Sequence, residues 1–226
     1  MARGINTKCL HLEEEEGCCN NYGSISFPIY QTATYEHPAV GQSTGFDYSR
    51  LQNPTREHLE KIVATLENGI DALAFSTGMA AITLVMELFK PGDHLIIDAD
   101  LYGGSIRLFD NVSLKNGIHF SRIDCWKENV ESYVNENTKA IYIETLGNPN
   151  SDVVDIEAVA NIAHKHKIPL VVDNTFATPY LVRPIEYGAD IVVHSATKFI
   201  GGHGTTIGGV IIEGGKFDWE ASGKFP

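Results

Sequence analysis

The 226-residue sequence has few cysteines, no long apolar run and a deficit of basic side chains. Its four cysteines lie at positions 9, 18, 19 and 125, a spacing unlike the disulfide framework of a small secreted protein. No apolar stretch is long enough to cross a bilayer, and no apolar signal region follows the N-terminal charge. These absences predict a cytoplasmic protein that has no membrane partner.

The charge balance excludes a further class of partner. The chain has 17 Lys and Arg residues against 29 Asp and Glu residues, so its formal net charge is −12. Such a surface repels phosphate on average, which argues against nucleic acid and anionic membranes. A local basic pocket for one small phosphate is still compatible with this charge. The length and the 43% hydrophobic content suit one large α/β domain.

Several common functional motifs are missing as well. There is no glycine-rich dinucleotide loop and no Walker pattern, which disfavours nucleotide binding. There is no G-x-S-x-G element, which disfavours a serine hydrolase. The histidines lack ligand spacing, and the early cysteines with His11 lack the paired pattern of a zinc site, so no metal site is predicted.

Residues 1–53 contain many Gly and Pro residues and scattered aromatic rings without a helical or strand period. We expect an irregular N-terminal arm whose rings pack on another subunit. Regular structure should begin at Asn53, a good helix N-cap, followed by Pro54 at the first helical position. Apolar side chains at positions 59, 62, 63 and 66 predict an amphipathic helix, which Asn68-Gly69 would end.

From there to residue 213, apolar strand segments alternate with helical segments. We predict strands at residues 72–75, 94–97, 118–123, 139–144, 168–173 and 207–212, and another in the apolar run that begins at residue 189. Helices are predicted from residue 78 to about 89, at 104–115, at 128–135 and after the capping residue Asp155. This alternation predicts an α/β fold with a mostly parallel sheet sandwiched by helices.

Two side chains with complementary chemistry follow neighbouring predicted strands. Asp173 ends one apolar strand and Lys198 follows the next, at a separation that suffices for one crossover. Both would then emerge at the edge of the sheet where open α/β folds bind ligands. A lysine amine can form a Schiff base with a carbonyl, and an aspartate can hold a pyridinium nitrogen protonated. The pair is what pyridoxal 5′-phosphate (PLP) needs, although a surface lysine and a turn-forming aspartate are the ordinary alternatives.

Other turns carry side chains that suit the same ligand. Residues 76–80 (STGMA) join a strand to a helix N-terminus, where free N–H groups and Gly78 allow an anion to approach. The hydroxyls of Ser195 and Thr197 lie beside Lys198 and can meet the same phosphate. An ordinary strand–helix turn and small residues in a tight loop are the alternative interpretations.

Three more side chains are candidates for ligand contact. Tyr102 follows a strand and precedes a helix, where its ring can stack on a flat cofactor. Asn148 also follows a strand, and its amide can reach a cofactor oxygen. Arg50 has the planar fork that suits phosphate. Core packing, an Asn-Pro turn and a solvated arginine are the respective alternatives.

Taken together, these segments resemble the Cys/Met-metabolism family of PLP-dependent enzymes. The resemblance is carried by residues 48–55 (YSRLQNPT), 76–79 (STGM), 100–104 (DLYGG), 172–175 (VDNT) and 195–198 (SATK), in this order. It covers nearly the whole chain. It implies the PLP-dependent transferase fold type I, which is the aspartate-aminotransferase-like fold.

The resemblance also implies roles for the candidate residues. Lys198 would hold PLP as a Schiff base and shuttle protons, Asp173 would pair with the pyridine nitrogen, and Tyr102 would stack on the ring and assist proton transfer. The other implied contacts are Gly78, Met79, Ser195 and Thr197 on the phosphate, Asn148 near the phenolic oxygen with Glu144 close by, and Tyr48 and Arg50 on the phosphate of a neighbouring subunit. The last contact implies a homodimer or homotetramer whose active site is shared between subunits.

The branch of the family decides the implied reaction. Residues 201–210 (GGHGTTIGGV) and 215–219 (GKFDW) resemble O-acetylhomoserine sulfhydrylases, whereas residues 46–50 (FDYSR) are closer to cystathionine synthases and lyases. The favoured activity is γ-replacement on an O-acylated homoserine, in which O-acetylhomoserine and sulfide or a thiol give homocysteine or methionine and acetate. The alternatives are a cystathionine γ-synthase and a C–S lyase that acts on cystathionine or methionine.

The resemblance further implies a domain organisation. Residues 1–53 would form the arm and residues 54–226 the PLP-binding large domain, whereas the C-terminal substrate domain of family members would be absent from this chain. An inactive PLP-binding fragment that needs its missing C-terminal half is therefore the alternative from a different functional class.

Overall fold

The computed structural model describes residues 4–10, 24 and 26–225. Their strands are β1 (Asp71–Phe75), β2 (His94–Asp98), β3 (His119–Ile123), β4 (Thr138–Glu144), β5 (Leu170–Asp173), β6 (Ile191–His194) and β7 (Gly209–Glu213). They form one seven-stranded sheet in the order β1-β7-β6-β5-β4-β2-β3.

The helices cover both faces of this sheet. They are α1 (Ile5–Lys8), α2 (Pro54–Glu67), α3 (Gly78–Met86), α4 (Gly103–Leu108), α5 (Ile156–Lys165), α6 (Thr178–Leu181) and α7 (Trp219–Ser222). A π-helical segment, Phe109–Ser113, continues α4, and Val130–Tyr133 and Pro184–Tyr187 are 3₁₀ turns.

Three predicted helices differ from the observed ones in extent or type. The helix predicted at 104–115 is α4 followed by the π-helical segment, and the one predicted at 128–135 is only a 3₁₀ turn. The helix predicted to reach residue 89 ends at Met86, because the N–H groups of residues 87–89 bond to carbonyls three residues back and tighten the last turn.

The prediction of a mostly parallel sheet is confirmed, with β7 as the exception. β7 runs antiparallel to both β1 and β6, whereas the pairs of β2, β3, β4, β5 and β6 are parallel. The loop of residues 195–208 returns the chain beside β6 without a crossover helix, and such a return produces an antiparallel neighbour.

Apolar side chains alternate between two buried clusters, one on each face of the sheet. Val172 and Val192 belong to the cluster under α2 and α5, whereas Val171 and Val193 belong to the cluster under α3 and α4. Phe109 is fully buried in the second cluster, with its ring centroid 5.5 Å from that of Tyr142. The central strands are buried on both faces, as parallel strands covered by helices must be.

The ends of α2 follow the sequence prediction. Asn53 accepts a hydrogen bond from the Thr55 N–H at 2.9 Å, and Asn68 adopts the left-handed conformation, with a φ of 60°. The buried side of α2 consists of Val63, Ala64 and Glu67. The predicted apolar face is therefore only partly correct: Leu59 is 40% exposed and borders an open apolar groove that Phe27, Ile29, Tyr30 and Ile62 also line.

The arm is irregular over residues 26–53, apart from isolated bridges such as Thr34 to Tyr48. The helical turn α1 interrupts the predicted irregularity nearer the N-terminus. Cys9 and Cys125 are free thiols, whereas His11, Cys18 and Cys19 lie outside the described residues. Within residues 4–10, 24 and 26–225, no helix is long and apolar enough to cross a membrane.

Candidate active site

The candidate site lies at the edge where the parallel strands end. Asp173 is the last residue of β5 and is paired in register with Glu144, the last residue of β4. β5 and β6 are parallel neighbours, the arrangement that the spacing of Asp173 and Lys198 predicts. Lys198 lies in the turn that follows β6. Open α/β sheets bind their ligands at such an edge.

Asp173 is a buried carboxylate held by directed hydrogen bonds. Its Oδ1 atom accepts from the Thr175 N–H at 3.0 Å and from the Thr175 hydroxyl at 2.5 Å. The Tyr142 hydroxyl lies 3.5 Å from Oδ2. Burial raises the pKa of Asp173, and the bonds from Thr175 and the charge of His194 oppose that rise. A cation near Oδ2 would stabilise the ionised carboxylate further.

A close contact joins two of the loops at the site. A Cβ atom placed on Gly78 would lie 2.7 Å from Ser195 Cβ and 2.8 Å from Ser195 Cα, so only glycine fits there. Gly78 begins α3, and Thr77 caps that helix by accepting from the Ala80 N–H at 2.9 Å. The contact places the Ser195 hydroxyl beside the N-terminus of α3, where an anion is favoured.

The turn that carries Lys198 is anchored by Thr197. The Thr197 hydroxyl accepts from the Gly208 N–H at 3.1 Å, and the Lys198 N–H donates to the Ser195 carbonyl at 3.2 Å. The Lys198 side chain is exposed. The turn thus fixes the lysine backbone and leaves its amine accessible.

Tyr102 and Glu144 are linked across the site. Glu144 Oε1 accepts from the Tyr102 N–H at 2.6 Å, and the ring of Tyr102 leaves no room for a Cβ on Gly104, which would lie 2.3 Å from Cε1. Burial, reinforced by the charge of Asp173, raises the pKa of Glu144 to about 9. Tyr102 is 43% exposed, so part of this residue remains accessible to a flat ligand. The sulfur of Met79 would also lie 3.0 Å from that Cβ.

Asn148 is placed through its backbone. Its N–H donates to the Asp100 carbonyl at 3.2 Å, while the Asp100 carboxylate accepts from the N–H and the side chain of Asn150. A Cβ on Gly147 would collide with Asp100 Oδ2. The Asn148 side chain is half-buried and has no hydrogen bond to another described residue, so its amide can still take a ligand.

Tyr48 and Arg50 form a separate pair on the arm. The Arg50 guanidinium lies 5.1 Å from the centre of the Tyr48 ring, and both side chains are exposed. Within the described part of the chain, no hydrogen bond or ion pair joins either of them to Lys198 or Asp173. The structure therefore does not bring this pair into the site of its own chain.

Four residues that reasoning from the sequence did not single out lie next to Asp173 or behind it on the opposite face of the sheet: Thr175 beside it, and Glu67, Asn174 and His194 behind it. Glu67 is buried in α2, and its Oε1 accepts from Asn174 at 2.8 Å and lies 2.6 Å from His194 Nε2. The available signals were weak: an acid four residues after Val63, on the same helix side, and a histidine in an apolar strand.

Comparison with known proteins identifies the family of this chain. The model of the Cys/Met metabolism PLP-dependent enzymes matches residues 6–225. A cystathionine γ-synthase/O-acetylhomoserine (thiol)-lyase of Bacillus subtilis is 51% identical over 84% of this chain and 51% of its own length. A cystathionine γ-lyase of the same species is 49% identical over 86% of this chain and 52% of its own.

A solved structure agrees with these matches. The crystal structure of metB from Corynebacterium glutamicum has a TM-score of 0.89 and 40% identity, over 98% of this chain and 57% of its own. The fold is thus that of a PLP-dependent enzyme of fold type I. The chain belongs to the Cys/Met metabolism family of PLP-dependent enzymes, and it spans about half the length of the curated relatives it matches.

The residues present fit the family's cofactor. A flat pyridine ring needs a buried carboxylate at its nitrogen, an aromatic face and an amine, which Asp173, Tyr102 and Lys198 can provide. A phosphate needs N–H donors and hydroxyls without intruding side chains, which the contact between Gly78 and Ser195 can provide. No group of three His, Cys, Asp or Glu residues suited to a metal ion occurs among the residues described.

Proposed function

We propose that the protein catalyses PLP-dependent γ-replacement on an O-acylated homoserine. O-acetylhomoserine and sulfide or a thiol would give homocysteine or methionine and acetate. The observation that carries the proposal is that Asp173, the Lys198 turn and the Gly78–Ser195 contact all lie at the carboxyl ends of the neighbouring strands β5 and β6. The choice of reaction draws on the relative named for γ-synthase and O-acetylhomoserine lyase activity.

Each candidate residue has a role in this proposal. Lys198 would hold the cofactor and would carry protons, and Asp173 would keep the pyridine nitrogen protonated. The remaining contacts are Tyr102 on the ring, Gly78, Met79, Ser195 and Thr197 on the phosphate, Asn148 near the phenolic oxygen, with Glu144 close by, and Tyr48 and Arg50 on the phosphate of a neighbouring subunit.

The chemistry divides between the cofactor and the chain. Bound PLP supplies an electron sink that stabilises negative charge on the substrate carbons beside the amine. The Lys198 amine would take the α-proton, because an accessible amine at this position can act as a general base. Asp173 keeps the ring nitrogen protonated, so that the sink retains its strength. Tyr102 moves a proton at the departing acetate, since its backbone is held by Glu144 and its ring borders the site.

The assembly follows from the arm. Tyr48 and Arg50 are exposed and do not contact the site of their own chain, so we propose that they complete the site of a second copy. This sharing requires a homodimer or homotetramer. Our proposal includes a cytoplasmic location, in keeping with amino-acid metabolism.

A C–S lyase is the second candidate, because one relative at 49% identity is named as a cystathionine γ-lyase. In a lyase, water completes the cycle and ammonia and a keto acid are released. A third possibility follows from length: the chain spans about half of its relatives, so residues 1–226 would bind PLP but turn over only with a C-terminal half.

One assay separates these candidates. The chain is incubated with PLP, O-acetylhomoserine and sulfide, alone and together with a separately produced C-terminal half of the B. subtilis relative. Homocysteine that depends on sulfide supports γ-replacement. In a parallel incubation with cystathionine and no thiol, release of ammonia selects the lyase. Lys198→Ala is the control, and homocysteine formed by that variant at the full rate would contradict the proposal. Product that forms only with the added half identifies residues 1–226 as a fragment.

A further inference from the structure

A buried polar cluster lies beneath the candidate site, on the side of the sheet away from Asp173. It consists of Glu67 from α2, Asn174 after β5 and His194 at the end of β6, each no more than 1% exposed. Glu67 Oε1 accepts from Asn174 Nδ2 at 2.8 Å and lies 2.6 Å from His194 Nε2. The Nε2–Oε1 distance is that of a hydrogen bond, for which Nε2 of His194 can serve as the donor.

A buried polar cluster of this kind lowers the stability of the folded chain, which points to a role other than stability. Burying a carboxylate is unfavourable unless hydrogen-bond partners replace the water that it loses. Glu67 Oε2 and His194 Nδ1 have no hydrogen-bond partner among the described residues, so compensation is incomplete. Apolar side chains would fill the same space at lower cost.

The position of the cluster, behind the backbone of Asp173 and Ser195, indicates a role in holding that backbone in place. Neighbouring residues of an extended chain point to opposite faces, so Asn174 and His194 lie directly behind the backbone of Asp173 and Ser195. Asn174 is held at both ends: its Nδ2 also donates to the Val182 carbonyl at 2.9 Å, and its Oδ1 accepts from the Thr145 hydroxyl at 2.7 Å. The backbone that presents Asp173 is therefore clamped from the far face of the sheet.

A second connection runs from the same backbone to the site. The Ser195 N–H donates to the Thr175 hydroxyl at 2.8 Å, and that hydroxyl donates to Asp173 Oδ1. His194, which contacts Glu67, immediately precedes Ser195. A shift of His194 would thus move the Ser195 N–H, then Thr175, and then the Asp173 carboxylate. The charge of His194 also opposes the burial that raises the pKa of Asp173.

We propose that Glu67 is a positioning residue for the cofactor site: through His194 and Asn174 it holds Asp173 and Ser195 where PLP needs them. The inference rests on the proposed function, since it assumes that Asp173 and Ser195 contact PLP. Glu67 itself is completely buried on the face of the sheet away from Asp173, so it would act through these two residues and not on the cofactor directly. Its effect should be visible as cofactor affinity and as the spectrum of the bound cofactor, beyond any loss of folding stability.

The test compares Glu67→Gln with a matched control, Asp190→Asn. Asp190 is also a buried carboxylate beside a histidine, 1% exposed and 2.9 Å from His164 Nε2, but it lies just before β6, at the opposite end of that strand. The free energy of unfolding, the dissociation constant for PLP and the visible spectrum are measured for both variants and the unaltered chain. Both variants should lose stability.

Only Glu67→Gln should alter the cofactor readouts. We expect its PLP dissociation constant to rise about tenfold, by analogy with the loss of metal affinity when the hydrogen-bond partners of a metal ligand are removed, and its visible band to change. Asp190→Asn should leave both unchanged. If Glu67→Gln does not fold, Asn174→Ser, which is too short to reach both Glu67 and Val182, replaces it with the same expectation.

Two results would count against the inference in different ways. If the unaltered chain shows the PLP band and Glu67→Gln binds PLP as Asp190→Asn does, the inference is wrong and the proposed function stands. If the unaltered chain shows no PLP band, the proposed function of this chain and the inference both fail.

Discussion

Replacing Gly78 with alanine should disrupt the candidate phosphate site selectively. The added Cβ would lie 2.7 Å from Ser195 Cβ, 2.8 Å from Ser195 Cα and 3.0 Å from Ser195 Oγ. Ser195 Cα belongs to the backbone and Ser195 Cβ is bonded to it, so rotating the side chain of Ser195 cannot relieve the overlap. Either α3 or the Ser195 turn must shift by several tenths of an ångström.

The magnitude follows from the cost of overpacking. Inserting a methyl group into a well-packed position costs about 1–3 kcal/mol. If Ser195 moves away in the free chain to relieve the overlap, returning it to the position that phosphate needs costs up to the same energy. A cost of about 1.4 kcal/mol corresponds to a tenfold weaker dissociation constant. We therefore expect Gly78→Ala to bind PLP about tenfold or more weakly, measured by titrating the visible band.

A matched glycine controls for the change in residue type. Gly103 begins α4, has no atom within 4 Å of an added Cβ and has a φ that alanine can adopt. Gly103→Ala should bind PLP like the unaltered chain and be as stable or slightly more so, since alanine favours helix. If Gly78→Ala matched Gly103→Ala in PLP affinity, the assignment of the phosphate site to this contact would be refuted.

Three further changes have defined outcomes. Because the pKa of Glu144 is raised to about 9, the folded chain keeps a proton that the unfolded chain loses above its ordinary pKa, so stability falls as pH rises across that window. Glu144→Gln should flatten this slope in urea unfolding measured between about pH 5 and pH 9. Thr175→Val removes both the donor to Asp173 and the acceptor for the Ser195 N–H, and should weaken PLP binding, measured by band titration. Asn53→Ala removes the N-cap of α2 and should cost about 1 kcal/mol or more in denaturant unfolding.

Each of these predictions has its own control. An unchanged pH slope in Glu144→Gln would show that Glu144 is ionised in the folded chain. Thr175→Ser keeps the hydroxyl and should restore PLP affinity, so equal losses in the serine and valine variants would contradict the hydrogen-bond argument. For the cap, Asn53→Ser keeps an acceptor for the Thr55 N–H and, like Asn53→Ala, loses the Nδ2 donor to the Tyr30 carbonyl, so it should lose less stability than Asn53→Ala.

Features set by local chemistry were predictable from the sequence. Asn53, Pro54 and Asn68 mark the ends of α2 because caps depend on only a few neighbouring residues. That Asp173 and Lys198 follow neighbouring parallel strands was predictable as well, because two buried strands separated by one crossover are expected to pair in parallel.

Features set by distant contacts were not predictable in this way. The antiparallel direction of β7 depends on how the loop before it folds back. The pair of Glu67 and His194 joins residues 127 positions apart, and nothing in either local segment signals the other. Residue type alone ranks Glu67 as solvent-facing, whereas its position on the apolar side of α2 buries it completely.

The central claim is that Lys198 and Asp173 form a PLP site, and covalent trapping tests it most directly. The purified chain is incubated with PLP, its visible spectrum is recorded, and borohydride reduction is followed by peptide mapping. We predict a visible band that is lost in Lys198→Ala and a reduced adduct on the peptide that contains Lys198. No band, or an adduct spread over other lysines at the same level in Lys198→Ala, would contradict the account.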